Sequence, residues 1–174
     1  MIAVDTSVFL YLLKPDTSPP KDEATGKPVE RCQDRVEHLV ATLSKAGTKL
    51  ILPTPMVAET LVGTGASASA YLDLLRRQSV FRIADFDQRA ALECSVMMTQ
   101  HWAGRLKQLR AEVGRHRIKF DLQIVAIARV AGAHEILSDD PSVREVAAIT
   151  GMQCRGIADL PLPPEPDQQS FQGI

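Results

Sequence analysis

Cysteine is scarce in this 174-residue chain, and its placing excludes more than its number does. Cys32, Cys94 and Cys154 are odd in count, far apart and without metal-ligand spacing, which argues against a disulfide framework and a thiolate zinc site. They read as reduced thiols, partly in the core. No apolar run approaches the length that spans a bilayer, and Asp5 interrupts the N-terminus too early for a signal peptide, so no membrane contact and a cytoplasmic location are expected. A net charge of −1 makes no case for a protein that coats nucleic acid indiscriminately. No internal repeat is visible. What remains is an ordinary globular balance, 45% hydrophobic and 24% charged, in a length suited to one domain that buries roughly 70% of its unfolded surface without staples.

The chain is organised around its first ten residues. Ile2 to Val4 predict a buried strand with no polar alternation, as in a parallel sheet covered on both faces. Asp5 stands at its end, and Thr6 and Ser7 offer hydroxyls that can cap a helix begun by Val8, Phe9 and Leu10. Ligands of open α/β sheets bind outside the carboxyl ends of the strands, so an acid at that edge is a site candidate as well as a helix cap.

Alternating elements follow. Lys14 to Pro28, with Pro15, Pro19, Pro20, Gly26 and Pro28, predicts a long surface loop. Cys32, Val36, Leu39, Val40 and Leu43 mark a helix stopped by Gly47, and Lys49 to Leu52 a strand. Thr54 and Pro55 supply a cap and a first-position proline for a helix that carries Glu59 and ends at Gly63 and Gly65. Ala68, Tyr71, Leu72 and Leu75 mark another helix, and Val80 to Ile83 a third strand. Asp85 and Gln88 resemble a capping box for a long helix with an apolar stripe of Leu92, Val96, Ala103, Leu106 and Val113, which Gly104 kinks or breaks.

Between residues 105 and 119, Arg105, Lys107, Arg110, Arg115, Arg117 and Lys119 face a single acid, Glu112, so charge is polarised although its sum is near zero. Phe120 to Ala133 is almost continuously apolar and predicts a central buried helix. Glu135 to Leu137 form a strand, Pro141 opens a helix with Val143, Val146 and Ala147 inward, and a last strand lies near Met152 to Cys154. Strands alternating with helices predict a doubly wound α/β domain with a mostly parallel sheet.

Two strand ends therefore carry carboxylates, Asp5 and Asp139 or Asp140. Asp121 opens the buried helix before the second of these strands, which puts it near the opposite sheet edge unless a loop brings it over. Each acid has a structural alternative: Asp140 as a cap before Pro141, Asp121 as a first-turn complement to the helix dipole, Glu59 as a solvated helix residue. Gathered at one edge, acids repel unless a cation sits among them. Oxygen ligands without His or Cys suit Mg²⁺ or Mn²⁺, which can activate water against a phosphodiester, and a basic stretch running into Asp121 would hold a polyanion beside it.

The order Val4-Asp5-Thr6-Ser7, Glu59 in a helix after the second strand, Phe120-Asp121-Leu122-Gln123-Ile124 and Leu137-Ser138-Asp139-Asp140 resembles the PIN (PilT N-terminal) domain nucleases. Within them it is most similar to the VapC-type toxins of bacterial toxin–antitoxin pairs. The resemblance covers about residues 1–154. It implies a PIN-like three-layer α/β/α fold around a central mostly parallel sheet, as a nuclease domain over 1–158 with a Pro-rich tail over 159–174. It further implies Mg²⁺- or Mn²⁺-dependent cleavage of RNA, a cognate antitoxin as partner, and allows a homodimer. By it, Asp5, Glu59, Asp121 and Asp140 form the catalytic set. Asp5, Asp121 and Asp140 bind metal, with Asp139 able to substitute or assist, because Pro141 and Ser142 stand where many members have a further acid. Thr6 and Ser138 support them with hydroxyls, and Arg105, Arg110, Arg115, Arg117 and Lys119 are the RNA-binding candidates. A phospho-accepting receiver domain is disfavoured, since Asp5 has no acid two residues on. A PIN-like RNA- or protein-binding module without catalysis is the alternative.

Overall fold

The first strand, β1 (Ile2–Val4), has every side chain buried and sits at the centre of a five-stranded sheet. The computed structural model describes residues 1–14, 16–62, 68–101 and 104–164, with the side chains of Leu74, His101 and Arg115 left out. The expected ends at Gly63 and Gly65, the stripe residue Ala103 and the last ten residues of the tail lie outside that set. Around β1 are β2 (Leu50–Pro53), β3 (Phe81–Ala84), β4 (Glu135–Leu137) and β5 (Gln153–Arg155), in the order β3-β2-β1-β4-β5. All four ladders are parallel. Central strands are buried throughout because both faces are covered, whereas β3 and β5, at the edges, keep exposed residues.

The helices are α1 (Thr6–Phe9, extended by a 3₁₀ turn, Leu10–Leu12), α2 (Cys32–Lys45), α3 (Thr54–Val62), α4 (Ala68–Arg77), α5 (Gln88–His101), α6 (Arg105–Val113), α7 (Arg115–Val130) and α8 (Pro141–Ile149). They flank the sheet in the expected α/β/α arrangement. The chain winds from β1 out to β3, then returns through α5, α6 and α7 to the other side of β1. The strand order thus reverses between β1 and β4, and a crevice opens there at their carboxyl ends. None of the helices is long and apolar enough to cross a membrane, among the described residues.

The long helix is broken at the place expected, into two helices, with Gly104 as the N-cap of the second. Other local expectations change. The cap of the first is Asp87, whose Oδ1 accepts the Ala90 N–H at 2.8 Å, rather than Asp85. Leu92 and Val96 are exposed, and Ala90, Cys94 and Met97 make the inward stripe instead. The Thr54 hydroxyl accepts the Phe86 N–H, tying α3 to the segment after β3. At the far end, Leu160 is buried and its carbonyl accepts from Arg35 of α2.

Candidate active site

Asp5 closes β1 and caps α1, the two roles that its position allows at once. Its Oδ2 accepts the Ser7 hydroxyl at 3.0 Å, the Ser7 N–H at 3.4 Å and the Ser138 hydroxyl at 3.0 Å. Burial pushes its carboxyl above the ordinary range, against these hydrogen bonds, which favour the charged form. Ser138, fully buried at the end of β4, also accepts the Asp140 N–H at 3.1 Å, so one hydroxyl links the acid of β1 to that of the next strand.

Asp121 reaches the carboxyl edge through the direction of α7 itself. A helix leading into a parallel strand must run back along the sheet, so it starts at the carboxyl edge and ends at the amino edge. The far end of α7 accordingly lies by Met1: the His134 N–H donates to the Met1 carbonyl, and Gly132 lies against the Met1 side chain. Asp121, in the second turn, therefore stands at the carboxyl edge without help from a loop. It is 5% exposed and accepts a short hydrogen bond from the Ser142 hydroxyl of α8. Burial, with Asp140 and Asp5 adding repulsion, pushes its carboxyl up to about 6 against the opposing pull of Ser142 and Arg117.

Asp140 caps α8 through its Oδ1, which accepts the Ser142 N–H at 2.8 Å, while its Oδ2 pairs with Arg117 at 2.5 Å. Glu59 is exposed on α3, and its Oε2 accepts the buried Thr6 hydroxyl at 2.6 Å. Asp5, Glu59, Asp121 and Asp140 line one cavity of about 560 Å³, together with Thr6, Ser7, His116, Arg117 and Phe120. Arg117, Asp121 and Ile124 follow the i, i+4, i+7 spacing of one helix face, which explains their common direction. A cavity of about 690 Å³ between α5 and α7 is larger, but among the described residues its lining, from Phe86 to Gln123, contains no acid and so offers no comparable chemistry.

Asp139 does not join them. Its Oδ1 accepts the Ile157 N–H at 3.0 Å, and its carboxylate faces a separate cavity beside Lys21, Glu23 and Arg144. The neighbouring residues of a turn point to different sides, and here Asp140 takes the site. The basic candidates disperse as well. Arg105 bridges Glu145 and Glu112, Arg110 is half-buried on α6, Lys119 lines the α5–α7 groove, and the Arg115 side chain is outside the described residues. Among the described side chains of that group, only Arg117 lines the acidic cavity. Ser7, Ser142 and His116 were not singled out for the site from sequence. Hydroxyls just past a strand end or a helix-opening proline are too common as caps to signal it.

No three carboxylates, imidazoles or thiols form a ready coordination shell among the described residues. The donor set nonetheless fits a hard divalent cation. It is all oxygen, two of its members are buried, and its mutual repulsion is only partly relieved by one guanidinium.

No protein-family model and no curated protein matches the sequence. Solved structures do match its fold. The chain is similar to VapBC2 from Rickettsia felis bound to a DNA fragment from their promoter, with a TM-score of 0.59, 16% identity, and 90% of this chain and 98% of that chain covered. VapBC-1 from nontypeable Haemophilus influenzae gives 0.56, 19%, 90% and 98%. DNA-bound VapBC from Salmonella typhimurium gives 0.53, 13%, 90% and 97%. The architecture is the PIN-like fold of VapC-type proteins.

Proposed function

We propose that this chain is a divalent-metal-dependent ribonuclease of the VapC type, a toxin held in check by a cognate antitoxin. The observation that carries the reading is the meeting of four carboxylates, those of Asp5, Asp121, Asp140 and Glu59, in one cavity at the reversal of strand order. Asp5, Asp121 and Asp140 would hold Mg²⁺ or Mn²⁺, with Glu59 at the rim. Such an ion, when bound, supplies an activated water and stabilises charge on a phosphodiester.

The remaining work falls to the protein's own groups. Ser7 and Ser138 fix the orientation of Asp5, Ser142 holds Asp121, and Thr6 holds Glu59 toward the cavity. The mouth, with His116, Arg117 and Phe120, offers positive charge and an aromatic edge to an RNA strand. An antitoxin partner is supported by the similarity to VapBC complexes, and the reading extends to a homodimer.

A mixed RNA pool incubated with the protein should be cleaved with Mg²⁺ or Mn²⁺, stay intact with chelator, and stay intact with Asp5→Asn in either condition. RNA left intact by folded wild type in every metal would favour the non-catalytic binding module.

A further inference from the structure

The acidic cavity already contains a cation of its own. Arg117 Nη2 lies 2.5 Å from Asp140 Oδ2, and the guanidinium charge is favoured by Asp140 first and then by Asp121 and Glu59. Among the described lining residues it is the only Lys or Arg. Arg117 is one turn before Asp121 on α7, so the guanidinium and the carboxylate enter from the same helix face.

Two features make the contact easy to exchange. The Arg117 side chain is 53% exposed and that of Asp140 25%, so the pair is hydrated and weak, as surface ion pairs are. Asp140 is also anchored independently of it, because the Ser142 N–H holds its other oxygen at 2.8 Å. When Arg117 leaves, a fixed carboxylate oxygen remains, turned toward the cavity.

We infer that Arg117 is a displaceable stand-in for the divalent cation: it neutralises Asp140 while no metal is bound, and yields that oxygen when the metal arrives. The inference rests on the metal-binding reading of this cavity. Its consequence is that metal binds in competition with a side chain of the same molecule. Removing the guanidinium should therefore tighten metal binding, the reverse of what losing a supporting residue does.

Loss of any nearby positive charge would also favour a cation, so the control is Lys119. It lies two residues away on the same helix but lines the α5–α7 groove, away from Asp140. Calorimetric titration of Mn²⁺ into the full chain should show affinity rising by about three- to tenfold in Arg117→Ala and Arg117→Gln, and by less than about twofold in Lys119→Ala. In a Mg²⁺ titration followed by ¹⁵N NMR, the Arg117 Nε resonance should move in step with occupancy. That of Arg105, held by Glu145, should stay. Equal changes in the Arg117 and Lys119 variants, or unchanged or weaker binding in both Arg117 variants, would overturn the stand-in role alone. A folded wild type that takes up neither Mn²⁺ nor Mg²⁺ would overturn the metal reading together with it.

Discussion

Thr6 Oγ1 donates to Glu59 Oε2 across 2.6 Å, joining the first residue of α1 to the second turn of α3. Thr6 is buried and Glu59 exposed, so the fixed partner is the hydroxyl and the guided one is the acid. Thr6→Val keeps the shape and removes the donor. It should slow RNA cleavage about tenfold while changing stability by less than about 1.5 kcal/mol, with Thr6→Ser restoring most of the rate. Single-turnover cleavage beside urea melts makes the comparison, and a Thr6→Val enzyme of full activity would detach Glu59 from the chemistry.

Asp121→Asn separates catalysis from stability. As a mere complement to the helix dipole, the charge would contribute about 0.3–1 kcal/mol, and its loss would lower the melting temperature slightly. Crowded against Asp5 and Asp140, its neutralisation should leave the metal-free protein no less stable, abolish most thermal protection by Mn²⁺ and abolish cleavage. Melting curves with and without Mn²⁺ decide, and a variant that melts lower without metal yet still cleaves RNA would rule Asp121 out of the site.

The pH dependence follows from the same residue. Its carboxyl, ordinarily near 3.8, sits at about 6 in the fold, so between those values the folded state binds more protons than the unfolded chain. Stability from this group is complete below the unfolded value and is lost as pH rises through about 6. The shift corresponds to roughly 2–3 kcal/mol, with buried Asp5 acting in the same direction. Metal binding needs the carboxylate and should strengthen over the same interval. Urea melts in chelator at pH 5 and pH 7.5 should show the wild type losing more stability than Asp121→Asn. Identical slopes would place the titration elsewhere.

Ser142→Ala removes the hydroxyl that favours ionised Asp121 but leaves the backbone N–H that fixes Asp140. The Asp121 carboxyl should rise further, moving the midpoint of Mn²⁺ binding to higher pH, with affinity near that of wild type recovered at pH 8. A uniform loss of affinity at every pH would instead mean that Ser142 shapes the site mechanically.

At the amino end of β4, Glu135 is 6% exposed and held by Arg155 through two hydrogen bonds of 2.6 and 2.7 Å. Arg155→Ala should destabilise the protein by about 2–3 kcal/mol, discounted for the partial exposure of Arg155, because it strands a buried charge. Arg155 ends β5, where its carbonyl accepts the Ser138 N–H at 2.9 Å, a backbone bond that the substitution leaves in place, so Mn²⁺ affinity should stay unchanged, which calorimetry on the folded variant tests.

The apolar runs Ile2–Val4, Leu50–Leu52 and Ile136–Leu137, each bounded by caps and turns, were enough to establish a parallel α/β sheet, since strands covered on both faces show no polar alternation. The placing of Asp5 at a strand end was legible for the same reason. Tertiary structure alone decided the rest. The backward run of α7 brought Asp121 to the carboxyl edge, and the turn after β4 aimed Asp140 into the cavity and Asp139 out of it. It also paired Arg105 with Glu145 but set Arg117 among the acids. Periodicity reports which side of an element is buried, yet direction across the sheet and the partner on a neighbouring helix depend on how elements pack. Residues far apart in the chain meet only there.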